Sequence, residues 1–296
     1  MKNVAVIDIG SNALRATIAS ITNSKRKILF EYRYPLRLGA DVFHRKGRIS
    51  SKKLTETENV FIELLHYFSG YKVTEVVAYA TSAMRSAKNS KKLIENILKS
   101  TGIEIVPING KIEAELIYKA VRAEVNFNGK KTLLVDIGGG STEITLIKNK
   151  KVLGSFSFNL GTVRLLHFKN INAMEKEIEK QLKPIKQFLK RVPTQGIQFS
   201  IGTGGNLRRM GKLKKIVLDK NNINFFSQKD IEHIYYIISR YSLQRRIDEL
   251  DMRPDRADVI VPASYIVFRL MQELNIQKMF VPDIGLKDGI LLKLQE

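Results

Sequence analysis

Cysteine and tryptophan are absent from this chain of 296 residues, and only four histidines occur. The lack of cysteine excludes disulfides, thiolate zinc sites and cysteine nucleophiles. The histidines are His44, His66, His167 and His233, and they show neither a His-x-x-x-His nor a His-x-Glu spacing. A histidine-based metal site is therefore not expected.

Long apolar runs are also lacking. No uninterrupted apolar stretch approaches the ~20 residues that a transmembrane helix needs. The apolar run at residues 4–9 is too short for the hydrophobic part of a signal peptide, and no small-residue cleavage site follows it. The sequence therefore predicts a cytoplasmic protein that has no membrane partner.

Acidic residues are few, since 29 Asp and Glu stand against 50 Lys and Arg, which gives a formal net charge of +21. Such a field concentrates polyanions at a protein surface, and inorganic polyphosphate, nucleic acid and anionic lipid all qualify. The basic residues are dispersed and lack an aromatic-basic motif, so we expect no sequence-specific nucleic-acid binding. A lysine-rich surface without any ligand is the alternative.

Apolar runs of strand length alternate with helical patterns, which is typical of an α/β fold. The runs predicted to form strands are residues 4–9, 16–21, 28–34, 75–80, 103–108, 132–137, 144–147, 152–158 and 197–201. Ile231, Ile234 and Ile238 follow helical spacing. Ser227 and Asp230 predict a capping box at the start of that helix.

An internal repeat is the most informative pattern. Asp8-Ile-Gly ends the first apolar run and Asp136-Ile-Gly ends a later one, an offset of 128 residues from 8 to 136. Two related halves follow from this repeat. We expect a first domain over residues 1–122, on which a C-terminal helix near 285–296 can pack back, and a second domain over 123–296.

Glycine turns at strand ends suit phosphate binding, because glycine allows close approach and consecutive N–H groups form an anion-binding concavity. The expected phosphate contacts in the two turns are Gly10, Ser11, Asn12, Gly138, Gly139, Gly140 and Ser141. Phosphate would repel bare carboxylates, so we expect Asp8 and Asp136 to hold Mg²⁺ or another divalent cation. The alternative is that each aspartate only caps its turn.

A third glycine turn follows the strand-like run at 197–201. Its residues Gly204 and Gly205 lead into a basic helix predicted over 207–215. A strand, a glycine turn and a helix in succession place N–H groups and the positive helix end toward an anion. This turn is expected to add to the phosphate site.

Two side chains outside the turns are further candidates. Arg85 follows the run at 75–80 and can pair bidentately with phosphate oxygens, although the same segment also reads as a helix start capped by Thr81 or Ser82. Glu113 opens a helix predicted over 111–125. Its carboxylate could orient an attacking water or only complement the helix dipole.

These motifs together resemble the exopolyphosphatase/guanosine pentaphosphate phosphatase (Ppx/GppA) family in its short, two-domain form. The resemblance rests on residues 8–12, 80–89, 113–114, 136–143, 202–205, 253–258 and 285–289. It implies two actin-like (ASKHA, ribonuclease H-like) α/β domains with a cleft between them.

The resemblance also implies a reaction. Water would attack the terminal phosphorus of inorganic polyphosphate or guanosine pentaphosphate, with Glu113 similar to the family's catalytic base. Asp8 and Asp136 resemble its magnesium-side carboxylates, and Arg85 resembles a phosphate ligand. Guanosine tetraphosphate is a further implied partner through the stringent response, and the sequence leaves a homodimer open.

Four positions depart from the family pattern, namely Ala13, Ile112, Asn206 and Ala263, where the family usually has Ser or Thr, Glu, Thr and Gly. They bear on rate and substrate preference more than on the class of reaction. Two other functions stay open: an ATPase or kinase of the same fold, because a fold does not identify a function, and a non-catalytic sensor of polyphosphate or alarmone.

Overall fold

The computed structural model describes residues 2–23, 25–44, 46–126, 129–168, 170–191, 196–197 and 199–296. Its strands are β1 (Lys2–Ile9), β2 (Leu14–Ile21), β3 (Arg26–Tyr34), β4 (Glu75–Ala80), β5 (Ile105–Pro107), β6 (Thr132–Ile137), β7 (Thr142–Lys148), β8 (Lys151–Phe158), β9 (Phe199–Thr203), β10 (Phe225–Ser227) and β11 (Lys278–Phe280). Its helices are α1 (Leu38–His44), α2 (Ser51–Gly70), α3 (Ser82–Ser86), α4 (Ser90–Thr101), α5 (Gly110–Glu124), α6 (Ile171–Arg191), α7 (Gly205–Leu218), α8 (Gln228–Arg240), α9 (Leu243–Glu249), α10 (Pro254–Ala257), α11 (Ile260–Glu273) and α12 (Leu286–Gln295).

Each of the nine predicted strand runs contains a strand, so the alternation of strands and helices is confirmed. Residue 198, inside the last run, lies outside the described residues. The chain divides into two compact units. The first consists of Met1–Ala120 with Gly285–Glu296, and the second of Val121–Ile284.

The first unit is built on a five-stranded sheet in the order β3-β2-β1-β4-β5. Strands β1, β2 and β3 pair antiparallel, while β4 runs parallel to β1 and β5 parallel to β4. Val4 to Ile7 are buried in succession, which is typical of a strand covered on both faces. Phe61 and Leu64 of α2 join Ile7 and Ile18 in one core.

The second unit repeats this order in a six-stranded sheet, β10-β11-β9-β6-β7-β8. Strand β6 takes the place of β1, β7 and β8 pair antiparallel beside it, and β9 and β11 run parallel on its other side. Strand β10 is an addition, antiparallel to β11. Two mixed sheets with helices confirm the predicted α/β fold class.

The C-terminal helix α12 packs within the first unit against α5. A Cβ atom at Gly289 would lie 2.0 Å from the carbonyl oxygen of Leu116, so only glycine permits this approach. Lys119 also forms an ion pair with Glu296. The C-terminal helix, which we expected could pack back on the first domain, is therefore part of the first unit.

The predicted capping box of α8 is confirmed. The Asp230 N–H donates to Ser227 Oγ at 3.1 Å, and the Ser227 N–H donates to Asp230 Oδ2 at 2.9 Å. Ile231, Ile234 and Ile238 are buried on the inner face of this helix. Local capping and helical periodicity thus agree with the packing of the second core.

Candidate functional site

The two Asp-Ile-Gly turns close with the same backbone hydrogen bond. The Gly10 N–H donates to the Ala13 carbonyl oxygen at 3.1 Å, and the Gly138 N–H donates to the Ser141 carbonyl oxygen at 2.9 Å. At either glycine a Cβ atom would lie 3.1 Å from that same carbonyl oxygen, a contact that would crowd the turn. The turns correspond residue for residue at the offset that the sequence repeat predicted.

Short polar side chains line the first turn. Ser11 is 3% exposed and Asn12 is 9% exposed. Their carbonyl oxygens accept N–H bonds from Gly39 at 2.8 Å and Arg37 at 3.1 Å, which fixes the turn to the start of α1. Ser11 Oγ has no hydrogen-bond partner within the described part of the chain. An unsatisfied buried hydroxyl costs roughly 1–3 kcal/mol, and a phosphate oxygen would satisfy it.

A neighbouring segment packs directly on the second turn. A Cβ atom at Gly161 would lie 2.5 Å from the carbonyl oxygen of Gly139 and 2.4 Å from the carbonyl carbon of Gly140. The Val163 N–H donates to the Gly139 carbonyl oxygen at 2.7 Å, and Arg164 Nε donates to the Gly140 carbonyl oxygen at 2.5 Å. The second turn is therefore held in shape by a separate loop of the same unit.

The residues opposite the two aspartates differ in charge. In the antiparallel registers Asp8 lies opposite Arg15, and Asp136 lies opposite Glu143, and residues directly opposite share one face of a sheet. Arg15 Nη1 is 3.5 Å from Asp8 Oδ2. In the second unit, one carboxylate oxygen of Asp136 and one of Glu143 lie within 4.8 Å of each other. The first turn thus carries an ion pair and the second a carboxylate pair.

Hydroxyl donors orient the carboxylate pair of the second unit. Asp136 is 8% exposed and Glu143 is 2% exposed. Thr203 Oγ1 donates to Asp136 Oδ1 at 2.5 Å, and Ser157 Oγ donates to Glu143 Oε1 at 2.6 Å. Two ionised carboxylates this close repel each other, and a divalent cation offsets that repulsion. These acidic residues can bind a metal ion, and their oxygens suit a hard cation.

Glu143 was given no role from the sequence, although it closes the motif that begins at Asp136. The register of the hairpin is the signal that identifies this residue. Asp136 stands two residues before Gly138, and Glu143 stands two residues after Ser141. With the turn closed between Gly138 and Ser141, these positions must face each other across the two strands.

The third glycine turn lies directly beside the second. Gly204 has a φ of +108°, and a Cβ atom there would lie 2.7 Å from the Ile137 carbonyl oxygen and 3.5 Å from Asp136 Oδ1. Both the backbone angle and the contact require glycine. Gly205 begins α7, so the predicted order of strand, glycine turn and basic helix is confirmed. Gly204 therefore lies next to Asp136.

Asn206, one of the departures from the family pattern, joins three segments of the second unit. Its Oδ1 accepts a hydrogen bond from Arg256 Nη1 at 2.9 Å, and its Nδ2 donates to Thr162 Oγ1 at 3.3 Å. The Thr162 N–H in turn donates to the Gly138 carbonyl oxygen at 3.2 Å. Because one amide both accepts and donates here, asparagine links the third turn to the second turn and to the segment 253–258.

Arg85 and Glu113 meet within the first unit. Arg85 Nη1 donates to the Ile108 carbonyl oxygen at 2.6 Å and lies 3.3 Å from Glu113 Oε2. The Thr81 N–H donates to the Ile9 carbonyl oxygen at 3.1 Å, so the segment carrying Arg85 starts at the end of β1. Thr81 stands at the N-cap of α3 but makes no side-chain capping bond.

The predicted site residues thus fall into three local groups. Those of the first turn are Asp8, Gly10, Ser11 and Asn12, and a second group in the same unit is Arg85 with Glu113. Those of the second unit are Asp136, Gly138, Gly139, Gly140, Ser141, Gly204 and Gly205. The catalytic and binding roles assigned to them stay predictions.

Comparison with known proteins identifies the family of the chain. The family model described as the Ppx/GppA phosphatase family matches residues 17–296. The chain belongs to the Ppx/GppA phosphatase family. Two named relatives are hydrolases. One is a guanosine-5'-triphosphate,3'-diphosphate pyrophosphatase of Pseudoalteromonas translucida, which is 27% identical over 98% of this chain. The other is exopolyphosphatase 2 of Mycobacterium tuberculosis, which is 25% identical over 99% of this chain.

Coverage of the relatives differs. The chain spans 59% of the length of the Pseudoalteromonas protein and 99% of the length of the Mycobacterium protein. None of the described helices combines the length and the apolar character that a bilayer crossing requires.

Solved structures share the fold along the whole chain. The Ppx/GppA member of Aquifex aeolicus aligns with a TM-score of 0.79 at 26% identity, covering 99% of this chain and 97% of its own. An exopolyphosphatase of Cytophaga hutchinsonii aligns with a TM-score of 0.88 at 24% identity, covering 99% and 98%. The actin-like, two-domain fold is therefore confirmed.

Proposed function

We propose that this protein is a metal-dependent phosphohydrolase that releases the terminal phosphate of inorganic polyphosphate or guanosine pentaphosphate. One observation carries the proposal. The buried carboxylate pair of Asp136 and Glu143 lies beside the second glycine turn, and the third glycine turn of the same unit packs against it. A cation site next to an anion-binding loop is the pairing that phosphoryl transfer needs. Family membership narrows this chemistry to hydrolysis.

Asp136 and Glu143 would hold Mg²⁺ in the second unit. Asp8 of the first unit would be the weaker metal ligand, because Arg15 already pairs with its carboxylate. When bound, the ion would neutralise charge on the phosphate oxygens and on the leaving group. Thr203 and Ser157 fix two of the carboxylate oxygens, so the remaining oxygens are oriented before the cation arrives. Support comes from the ligand set, which consists of carboxylate oxygens that match a hard cation.

Glu113 would accept the proton of the attacking water. Its carboxylate is buried, and Arg85 holds one of its oxygens at 3.3 Å. The Arg85 guanidinium beside this carboxylate would bind an oxygen of the terminal phosphoryl group. Because the chain contains no cysteine, hydrolysis cannot pass through a phosphocysteine intermediate, which agrees with direct attack by water.

The glycine turns would bind the phosphate chain itself. Gly10, Ser11 and Asn12 would serve from the first turn, with the free Ser11 hydroxyl as one donor. The backbone N–H groups of Gly139, Gly140 and Ser141, with those of Gly204 and Gly205, would serve from the second unit. Gly138 would serve by closing the turn, since its N–H donates to the Ser141 carbonyl oxygen. We place the reaction in the cytoplasm, with polyphosphate and the guanosine alarmones as partners.

Phosphate release is the direct test. Long-chain polyphosphate, tripolyphosphate, guanosine pentaphosphate and ATP are each incubated with the protein and Mg²⁺, and with the protein and a chelator. We expect release from polyphosphate or guanosine pentaphosphate that stops with the chelator, and little from ATP. Binding of either substrate without release would indicate the sensor, and release from ATP alone would indicate an ATPase.

A further inference from the structure

A cluster of exposed cations lies on the first unit where the loop before α2 meets the segment between α3 and α4. It consists of Lys46, Arg48, Lys88, Lys91 and Lys92, all of them exposed, and we call it the basic loop surface. Neither residues 45–53 nor residues 86–94 contain an Asp or a Glu. The proposed catalytic chemistry uses none of these five cations.

Backbone and amide bonds hold the two segments together despite their like charges. The Lys88 N–H donates to the Gly47 carbonyl oxygen at 2.8 Å. Asn89 bridges to Ile49 twice, because its Oδ1 accepts from the Ile49 N–H at 2.9 Å and its Nδ2 donates to the Ile49 carbonyl oxygen at 2.8 Å. Like charges that are held close together repel each other, and a bound anion offsets this repulsion.

A cavity of about 360 Å³ opens within this surface. Its lining includes Arg48, Ser50, Ser51, Asn89 and Lys92, and so offers two cations and two hydroxyls without a carboxylate. The nearby Asp41 carboxylate is buried and accepts from the Ser50 N–H at 2.9 Å, and Glu56 pairs with Lys53 at 2.7 Å. The chemistry of the cavity therefore fits an anion with several oxygens.

The surface adjoins the candidate site along the chain. Lys88 is three residues beyond Arg85, so their Cα atoms lie no more than about 11 Å apart. We propose that the basic loop surface binds phosphate units of an inorganic polyphosphate chain whose end lies at Arg85. This rests on the proposed function for the identity of the substrate. The two segments contain no aromatic residue, and single-stranded nucleic acid usually needs aromatic side chains on which its bases stack.

The test compares two double variants. Arg48→Gln with Lys92→Gln removes the cations of the cavity. Lys183→Gln with Lys190→Gln, two exposed positions on α6 of the second unit, is the matched control. Equilibrium binding of long-chain polyphosphate and of tripolyphosphate is measured without divalent cation, at several salt concentrations. An oligoribonucleotide with as many phosphates as the long chain is the competitor.

We expect the cavity variant to bind the long chain about tenfold more weakly at low salt, with a logarithmic salt slope lower by about 1.4, or about 0.7 for each lost charge. Tripolyphosphate binding should change by less than about twofold, since it reaches only the catalytic end. The control variant should keep wild-type affinity for both.

Three results would overturn the proposal: equal weakening for long and short chains, equal weakening by the control variant, or loss of oligoribonucleotide binding with polyphosphate binding intact. The last result would mark the surface as a nucleic-acid site. Phosphate release by the wild-type protein is scored separately. Its failure would refute the proposed hydrolysis while the binding results still decide this surface.

Discussion

The two units share a strand order, a glycine turn and the hydrogen bond that closes it, yet they differ in the residue opposite the aspartate of the turn. Asp8 faces Arg15 in the first unit, and Asp136 faces Glu143 in the second. The first turn thus balances its own charge, while the second collects two buried carboxylates. The two turns keep the same backbone hydrogen bond, and we expect the side chain opposite the aspartate to determine which of them binds a cation.

That difference divides the proposed chemistry between the units. A carboxylate already paired with a guanidinium gains less from an added cation than one that faces a second carboxylate. We therefore expect the second unit to dominate metal affinity. The first unit supplies Glu113, the proposed base, from a helix outside its sheet.

Glu113→Gln should lower kcat by at least ~10²-fold, the usual scale for a general base, with little change in substrate binding. The magnesium dependence of the residual rate should stay as in the wild type, because Glu113 belongs to the first unit and the second unit is expected to dominate metal affinity. Glu115→Gln, an exposed neighbour on α5, is the control. Equal losses from both variants would contradict the assignment of Glu113.

Asp136→Asn and Asp8→Asn should both lower activity, but to different extents at limiting magnesium. We expect the half-saturating magnesium concentration to rise by about 10- to 100-fold for Asp136→Asn. Asp8→Asn should raise it less, because Arg15 already offsets that charge. Magnesium titrations of phosphate release measure both. A larger shift for Asp8→Asn would reverse the comparison.

Thr203→Val should weaken magnesium binding by about tenfold, the lower end for a partner that orients a metal ligand. The variant keeps the shape of the side chain but removes the donor to Asp136 Oδ1. Ser200→Ala is the control on the same strand, since its hydroxyl donates to the Lys278 carbonyl oxygen instead. Both variants should lose about 1 kcal/mol of stability, so only the magnesium titration separates them.

Ser11→Ala should raise KM for the phosphate substrate by roughly 3- to 10-fold, which corresponds to the roughly 0.5–1.5 kcal/mol of one typical hydrogen bond. The free energy of unfolding should rise, by up to roughly 1–3 kcal/mol, because alanine removes a buried hydroxyl that has no hydrogen-bond partner among the described residues. Ser20→Ala, on β2, removes another buried hydroxyl that has no hydrogen-bond partner in the described part of the chain. If Ser20→Ala raised KM as much, the effect would not belong to the turn.

Much of the fold could be predicted because local signals and packing agree. The repeat of Asp-Ile-Gly indicated two related halves, and the Ser227 capping box gave the start of α8. The short elements β10, α9 and α10 were not predicted. They span only three, seven and four residues, which is too short for a periodic pattern to show.

The candidate site could be predicted only where its residues lie close together in the sequence. Glycines and aspartates of the turns stand next to each other in sequence, so their grouping was visible. The roles of Glu143 and Asn206 depend on strand register and on segments far apart in sequence, such as the contact of Asn206 with Arg256. The contact of Asn206 follows from tertiary packing and leaves no local pattern, whereas the place of Glu143 follows from the register of its hairpin.

The most direct measurement is a magnesium titration of phosphate release by the wild type, Glu143→Gln and Arg15→Gln. These variants each remove the charge opposite one aspartate, one from either unit. The account predicts that Glu143→Gln raises the half-saturating magnesium concentration at least about tenfold, while Arg15→Gln leaves it unchanged or lowers it. Wild-type magnesium dependence in Glu143→Gln would contradict the claim that the carboxylate pair of the second unit holds the cation.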